Sequence, residues 1–349
     1  MIYLDYAATD PYRVSASNLY GNPNSQHGMG INAHAIVEEC RERIKSVLGV
    51  ESGRIIFGGT TSMLVEMLCA RLDRFDYCSP VDHDCFYYDT KIGGRAGFGE
   101  LKNICPNDIY CHIHTNNITG EIYDLVEVGS KIKENGGYFL LDTTATWGHT
   151  DTPKNIEDWC DAVFCSAHKI GGPEGTGFMW VSDSLADFIG LENNSHNEYG
   201  LIPGTPAVNN ILNMTKKFEY VNSDVFLDNY LPIDFAFLSE FSYWANQYKI
   251  NHKLLYSTET KSTAINAIWL DGINADAFVQ FASANEMYLS SAHSACAEDG
   301  DYRVILNSIP NFTKQMASET IRVSFGTQTL AKDGHDLAKM IKEFKEQYC

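Results

Sequence analysis

Apolar runs of four to seven residues alternate along this chain with longer amphipathic stretches. From Ile31 to Leu48, the residues Ala33, Ile36, Val37, Cys40, Ile44, Val47 and Leu48 recur every three or four positions, which predicts a helix with one buried stripe. Arg54-Ile55-Ile56-Phe57 reads as a strand, and Gly58-Gly59-Thr60-Thr61-Ser62 then opens a second helix through Leu68. Ile109 to Thr115 reads as a strand running into the polar turn Asn116-Asn117. Gly137 to Asp142 is another strand, closed by an acid. A fourth, Ala162-Val163-Phe164-Cys165, leads into Ser166-Ala167-His168-Lys169, with Gly177–Val181 as its expected neighbour. Helical stretches separate most of these runs, which predicts a mostly parallel sheet covered on both faces. In such sheets ligands bind beyond the carboxyl ends of the strands, where the polar residues just named fall.

After Asn209 the texture changes. A long helix leads out, followed by strands at Ala264–Leu270, Met287–Ser290 and Thr320–Ser324. Ala331–Tyr348 reads as an amphipathic helix with Leu337, Met340, Ile341 and Phe344 inward. The expected organisation is a large domain over residues 15–220 and a smaller α+β domain made of residues 1–14 and 221–349. A chain of 349 residues is long enough for two cores.

A hydrophobic fraction of 44% with no run of eighteen apolar residues predicts a globular chain without a membrane span. The net charge of −19 argues against a nucleic-acid or anionic-membrane surface, while leaving room for a local pocket for an anion. The ten cysteines form no CxxC pair, and Met1-Ile2-Tyr3-Leu4-Asp5 lacks the pattern of a signal peptide. Reduced thiols in the cytoplasm are the expectation.

A lysine placed where Lys169 stands must lose hydration from its ammonium unless that group has a partner or a task. Covalent chemistry with an aldehyde, as in a Schiff base with pyridoxal phosphate (PLP), is one such task; snorkelling to solvent is the alternative. Singly the other candidates are equally open. Gly59-Thr60-Thr61-Ser62 could hold an anion or merely cap a helix, Asp142 could cap a turn, and His83 could be a surface histidine. Together they match one cofactor. PLP needs a lysine for its aldehyde, an acid for its pyridine nitrogen, a plate over its ring and a helix N-terminus for its phosphate. Lys169, Asp142, His83 and Gly59-Thr60-Thr61 are of those types.

The ordered set Tyr3-Leu4-Asp5-Tyr6-Ala7-Ala8-Thr9, Gly21-Asn22-Pro23-Asn24-Ser25…His27, Gly59-Thr60-Thr61, His83, Asn116-Asn117, Asp142, Ser166-Ala167-His168-Lys169, Gly204-Thr205 and Ile321-Arg322-Val323-Ser324 resembles the class V aminotransferase family. Within it, the set is most similar to the cysteine desulfurases of iron–sulfur-cluster assembly and thiolation pathways. The resemblance covers nearly the whole chain and implies an α/β PLP-dependent transferase fold of the aspartate aminotransferase type. That fold has a mostly parallel seven-stranded sheet and a smaller α+β domain. It implies that Lys169 holds PLP and moves the substrate's α-proton, that Asp142 pairs with the ring nitrogen and that His83 stacks on the ring. Thr60, Thr61, Ser166 and His168 would hold the phosphate. Thr205 would reach the phosphate of the neighbouring subunit in a homodimer with sites at its interface. Asn117 would lie near the cofactor and the substrate carboxylate, and Arg322 would clamp that carboxylate.

The nucleophile implied is Cys296, in Ser290-Ser291-Ala292-His293-Ser294-Ala295-Cys296, with His293 as a neighbour able to assist. Its thiolate would take sulfur from L-cysteine as a persulfide, release alanine and pass the sulfur to a scaffold or carrier protein. The family's usual Gln three residues after the acid is Ala145 here, and the usual Arg two residues before Gly-Thr is Ile202. Ile118 replaces a common Glu, and few residues separate Thr9 from Asn22. Those departures keep two alternatives open: another PLP reaction (amino transfer or β-elimination), or a PLP-poor scaffold protein.

Overall fold

The structure is a computed structural model that describes residues 1–4, 20–72, 75–87, 104–150, 153–192, 198–255, 262, 264–293 and 302–348. The strands in chain order are β1 (Ile2–Tyr3), β2 (Arg54–Gly58), β3 (Tyr77–Cys78), β4 (Ile109–Ile113), β5 (Tyr138–Asp142) and β6 (Ala162–Ser166). They continue as β7 (Gly177–Val181), β8 (His252–Leu255), β9 (Ile265–Leu270), β10 (Met287–Tyr288), β11 (Ser290–Ser291) and β12 (Thr320–Ser324). Three helices near the site are α1 (Gly28–Leu48), α2 (Thr61–Leu72) and α3 (Asp84–Tyr87). The chain divides into two compact units, one of Pro11–His114 with Asp124–Ser223, the other of Met1–Asp10, Thr115–Tyr123 and Asp224–Cys349.

The first unit holds a sheet in the order β2-β7-β6-β5-β4-β3. Neighbours from β3 to β6 run parallel, whereas β7 is antiparallel to both β6 and β2. Six strands are thus described where seven were expected. Every position of β4, β6 and β7 is buried, which is why their sequences read as unbroken apolar runs. Ile56, Leu64, Leu68, Phe86, Phe164 and Met179 belong to one core cluster under that sheet. A Cβ at Gly177 would come within 2.5 Å of the Cys165 carbonyl, so glycine lets β7 lie close to β6. The helix α1 begins where His27 Nδ1 accepts from the Gly30 N–H at 3.2 Å and stops at Gly49, whose φ of 67° is left-handed.

In the second unit, β11-β12-β9-β8 form an antiparallel sheet, and β1 pairs in parallel with β10. The strand expected over Met287–Ser290 is two short pieces, β10 and β11, which join different sheets. The Leu4 carbonyl accepts from the Ser324 N–H at 2.7 Å, tying the chain's first residues to the end of β12.

The sequence reading kept Thr115–Tyr123 with the large domain, but its bonds run elsewhere. Asn116 Nδ2 donates to Ser308 Oγ at 2.7 Å, and the Ser262 N–H donates to the Gly120 carbonyl at 2.6 Å. Gly120 has a φ of 74°, and a Cβ there would overlap the Ile265 carbonyl. This segment is stitched to β9 and its surroundings by polar contacts that no hydrophobic period encodes.

Candidate functional site

On the larger-sheet unit, the candidate residues gather at the carboxyl ends of β4, β5 and β6. Asp142 closes β5 and is 4% exposed. Its Oδ1 accepts from the Thr144 N–H at 2.9 Å, and Thr144 Oγ1 lies 2.9 Å from Thr61 Oγ1. That relay ties the acid to the first turn of α2. Thr60 precedes the helix, and its Oγ1 accepts from the Met63 N–H at 3.2 Å, so its hydroxyl does serve as a cap. Thr143 pins the next strand: its Oγ1 donates to the Phe164 carbonyl at 2.7 Å and accepts from the Phe164 N–H at 3.1 Å.

The strand β6 stops at Ser166, and Ala167–Ile170 form a 3₁₀ turn that carries His168 and Lys169, both half-buried. Lys169 therefore sits one turn past the strand, not on it. The turn closes because the Gly172 N–H returns to the Ala167 carbonyl at 2.8 Å, and Gly171 leaves it at a φ of 77°.

His83 is presented by a turn that Asp82 holds rigid. Asp82 Oδ1 accepts from the Ile113 N–H at the end of β4 at 2.6 Å, and Oδ2 accepts from the Ser79 N–H at 2.7 Å. The neighbouring Cys85 thiol reports how the unit's charges converge. Burial pushes its pKa up; the Asp142 carboxylate adds to the rise, and the Ser62 hydroxyl and Lys169 ammonium oppose it. Asp142 and Lys169 both act on the charge of this half-buried thiol, whose Sγ lies 3.2 Å from His83 Nδ1.

His149 was not picked out from the sequence. Burial first, and then the Lys169 ammonium, lower its pKa to about 4. Neither it nor Cys85 belongs to a motif or a periodic stripe, so the sequence carried no signal for them.

Two hydroxyls at this end of the sheet, Ser166 Oγ and Thr176 Oγ1, are buried without a hydrogen-bond partner among the described residues. Buried polar atoms are seldom left so, and hydroxyls there suit an acceptor-rich group such as a phosphate. With Thr61 at a helix start, and an acid and a lysine at the ends of adjacent strands, the residues present fit PLP. Thr205 lies exposed on a loop at a distance of 3.4 Å from Asn22 Nδ2, which donates to its Oγ1. Of the departures noted in the sequence, Ala145 and Ile202 are both buried. Ile202 belongs to the core cluster with Leu64, so this position fills apolar space.

On the other unit, Arg322 stands in mid-β12 and is 2% exposed, and its Nη1 donates to the Asn117 carbonyl at 3.0 Å. These two candidates are thus neighbours. His293 Nε2 is 2.9 Å from Asp276 Oδ2, Ser291 Oγ donates to Asp276 Oδ1 at 2.7 Å, and the His293 ring stacks on Tyr302. Cys296 lies outside the described residues.

The sequence model of aminotransferase class-V matches residues 102–335. The chain belongs to the class V aminotransferase family. It is 31% identical over 251 residues to the cysteine desulfurase IscS of Dictyoglomus turgidum, a match that covers 62% of this chain and 63% of that relative. The chain thus covers less than two thirds of that relative's length. Among solved structures, a NifS-like protein superposes with a TM-score of 0.81 at 19% identity, over 99% of both chains. A NifS-like protein from Rickettsia africae gives 0.78 at 19% identity, again over 99% of both chains. The fold is accordingly that of the PLP-dependent transferases expected above.

Proposed function

We propose that this class V family member is a PLP-dependent cysteine desulfurase that converts L-cysteine to L-alanine and holds the sulfur as a persulfide on Cys296. The observation that carries the reading is that Asp142 closes β5 and Lys169 follows the parallel neighbour β6 at the same end of the sheet, where Ser166 Oγ and Thr176 Oγ1 are buried without a hydrogen-bond partner among the described residues. Membership in the family and the 31% identity to a cysteine desulfurase support it.

Bound PLP supplies an aldehyde that takes up amines and a protonated ring that draws electron density from the substrate's α-carbon. Asp142 would keep the proton on the ring nitrogen, and His83 would serve as the plate over the ring. Thr60, Thr61, Ser166 and His168 would hold the phosphate, with Thr205 contributed by the neighbouring copy of a homodimer. Lys169 would hold the cofactor, and its Nζ would move the substrate's α-proton. Arg322 and Asn117 receive the substrate carboxylate, a planar anion that a guanidinium matches with two parallel bonds. The Cys296 thiolate forms a bond to the substrate sulfur as the Cβ–S bond breaks, Cβ takes a proton, and alanine leaves. The sulfur then passes to an acceptor protein in the cytoplasm. Among the described residues eight cysteines are free and no helix is long and apolar enough to cross a membrane.

The test is incubation of the PLP-loaded protein with L-cysteine, measuring alanine and sulfide and the mass of the Cys296 peptide. Stoichiometric alanine and a persulfide on Cys296 are expected. A Cys296→Ala variant that releases sulfide at the parent rate would overturn the mechanism.

A further inference from the structure

Cys85 stands two residues after His83, in a position that no motif of the family resemblance includes. His83 immediately precedes α3, and its carbonyl accepts from the Phe86 and Tyr87 N–H groups at 2.9 and 3.1 Å. Its ring folds back onto the same turn. The Cys85 backbone N–H donates to Nδ1 at 3.3 Å, and Cys85 Sγ lies 3.2 Å from that nitrogen. A backbone N–H can only donate, so Nδ1 presents a lone pair and the neutral ring carries its proton on Nε2. With Nδ1 an acceptor, the thiol must be the donor in the second contact. Burial, then the Asp142 carboxylate, keep that thiol protonated and able to donate. The Ser62 hydroxyl, in the first turn of α2, opposes the rise in the thiol's pKa without outweighing burial.

We propose that Cys85 is a positioning residue, whose S–H and N–H together hold the His83 imidazole in the Nε2–H tautomer and fix its plane against the cofactor ring. The proposal rests on the assignment of His83 to that ring. Two donors at Nδ1 oppose protonation there, so losing the thiol makes the ring easier to protonate. The other charged and titratable groups in the surroundings are Asp82, Asp142 and Lys169 about the thiol, Asp84 on α3, and Glu66 and Cys69 on the helix packed against it.

The experiment uses PLP-loaded protein labelled with ¹⁵N-histidine, with the His83 signals identified as the set that vanishes in His83→Asn. Multiple-bond ¹H–¹⁵N spectra should show the Nε2–H tautomer in the parent. In Cys85→Ala the His83 titration midpoint should rise by about half to one pH unit, and the acid limb of kcat/KM should move with it. Cys85→Ser, which restores an O–H donor, should return both most of the way. An Nδ1–H tautomer in the parent, a midpoint unchanged in Cys85→Ala, or a Ser variant behaving like the Ala variant would overturn the proposal. Because the spectra report on His83 whether or not cysteine is consumed, an intact tautomer with no alanine release would refute the desulfurase reading and leave this one standing.

Discussion

Replacing Ser166 by alanine should act in opposite directions on stability and on cofactor affinity. The residue is 3% exposed and its Oγ has no partner among the described residues. In the cofactor-free protein that hydroxyl, with no bond to another described residue, carries a penalty of about 1–3 kcal/mol for a buried polar group. Alanine removes the penalty and leaves a space of one oxygen, so the cofactor-free variant should be as stable as the parent or more stable. With PLP bound, the same hydroxyl would donate to a phosphate oxygen, and hydrogen bonds to charged groups contribute about 1.5–3 kcal/mol. Converted at 1.4 kcal/mol per decade, the variant should bind PLP roughly ten- to 150-fold more weakly. Urea unfolding of both cofactor-free proteins and absorbance titration with PLP measure the two effects separately. A variant less stable by more than about 1 kcal/mol that binds PLP as tightly as the parent would refute the reasoning, since it would make Ser166 an ordinary structural hydroxyl.

Three further outcomes are expected. Arg322→Lys should lower kcat/KM for L-cysteine by roughly ten- to 150-fold with cofactor binding unchanged, because an ammonium cannot make the paired bonds of a guanidinium; a change below threefold would remove Arg322 from the carboxylate site. Burial lowers the His112 pKa to about 4, so the unfolded chain takes up that proton first as pH falls. Its contribution is full above pH 6.5 and is lost on descent to about pH 4, a total of about 3 kcal/mol. His112→Gln should therefore flatten the pH dependence of the unfolding free energy by one proton in that window, and an unchanged slope in urea unfolding would contradict it. Glu198→Ala should destabilise by up to about 3–5 kcal/mol because it takes the bidentate carboxylate from a buried guanidinium that then keeps only Glu38 and the Ile55 carbonyl as hydrogen-bond partners among the described residues, with Arg41→Met in the same chain recovering part of the loss; equal unfolding midpoints for parent and single variant would show that the pair contributes nothing.

What the sequence disclosed follows from the range of the forces involved. The strands β2, β5, β6, β7 and β12 were readable because burial acts on consecutive residues and leaves a run. Lys169, Asp142 and His83 were readable because the chemistry of one cofactor demands those side chains in order. The Glu198 ion pair was not. Its Oε1 and Oε2 bond Arg41 at 2.9 Å each, and Oε2 accepts the Phe57 N–H at 2.8 Å, across separations of 157 and 141 residues. Glu198 and Tyr199 also adopt left-handed φ values of 46° and 57° to reach it. Polar contacts between distant segments leave no period in either segment, and the same holds for Thr115–Tyr123 and for Cys85 against His83.

The bond between Leu4 and Ser324 also fixes an order of events during synthesis. Those residues are 320 apart, and at 5–20 residues per second the ribosome needs roughly 16–64 s to make the second after the first. The unit that ends at Ser223 has all its residues long before then. Throughout that interval Leu4 lacks the strand it will bond, and from its own synthesis onward the polar segment at Thr115–Tyr123 waits for Ser262 and Ser308. The nascent chain therefore carries one finished half and one waiting half, and contacts that close across so many residues form late and slowly. Chaperone demand should fall on the waiting half, and truncations beyond Ser223 should harm it first.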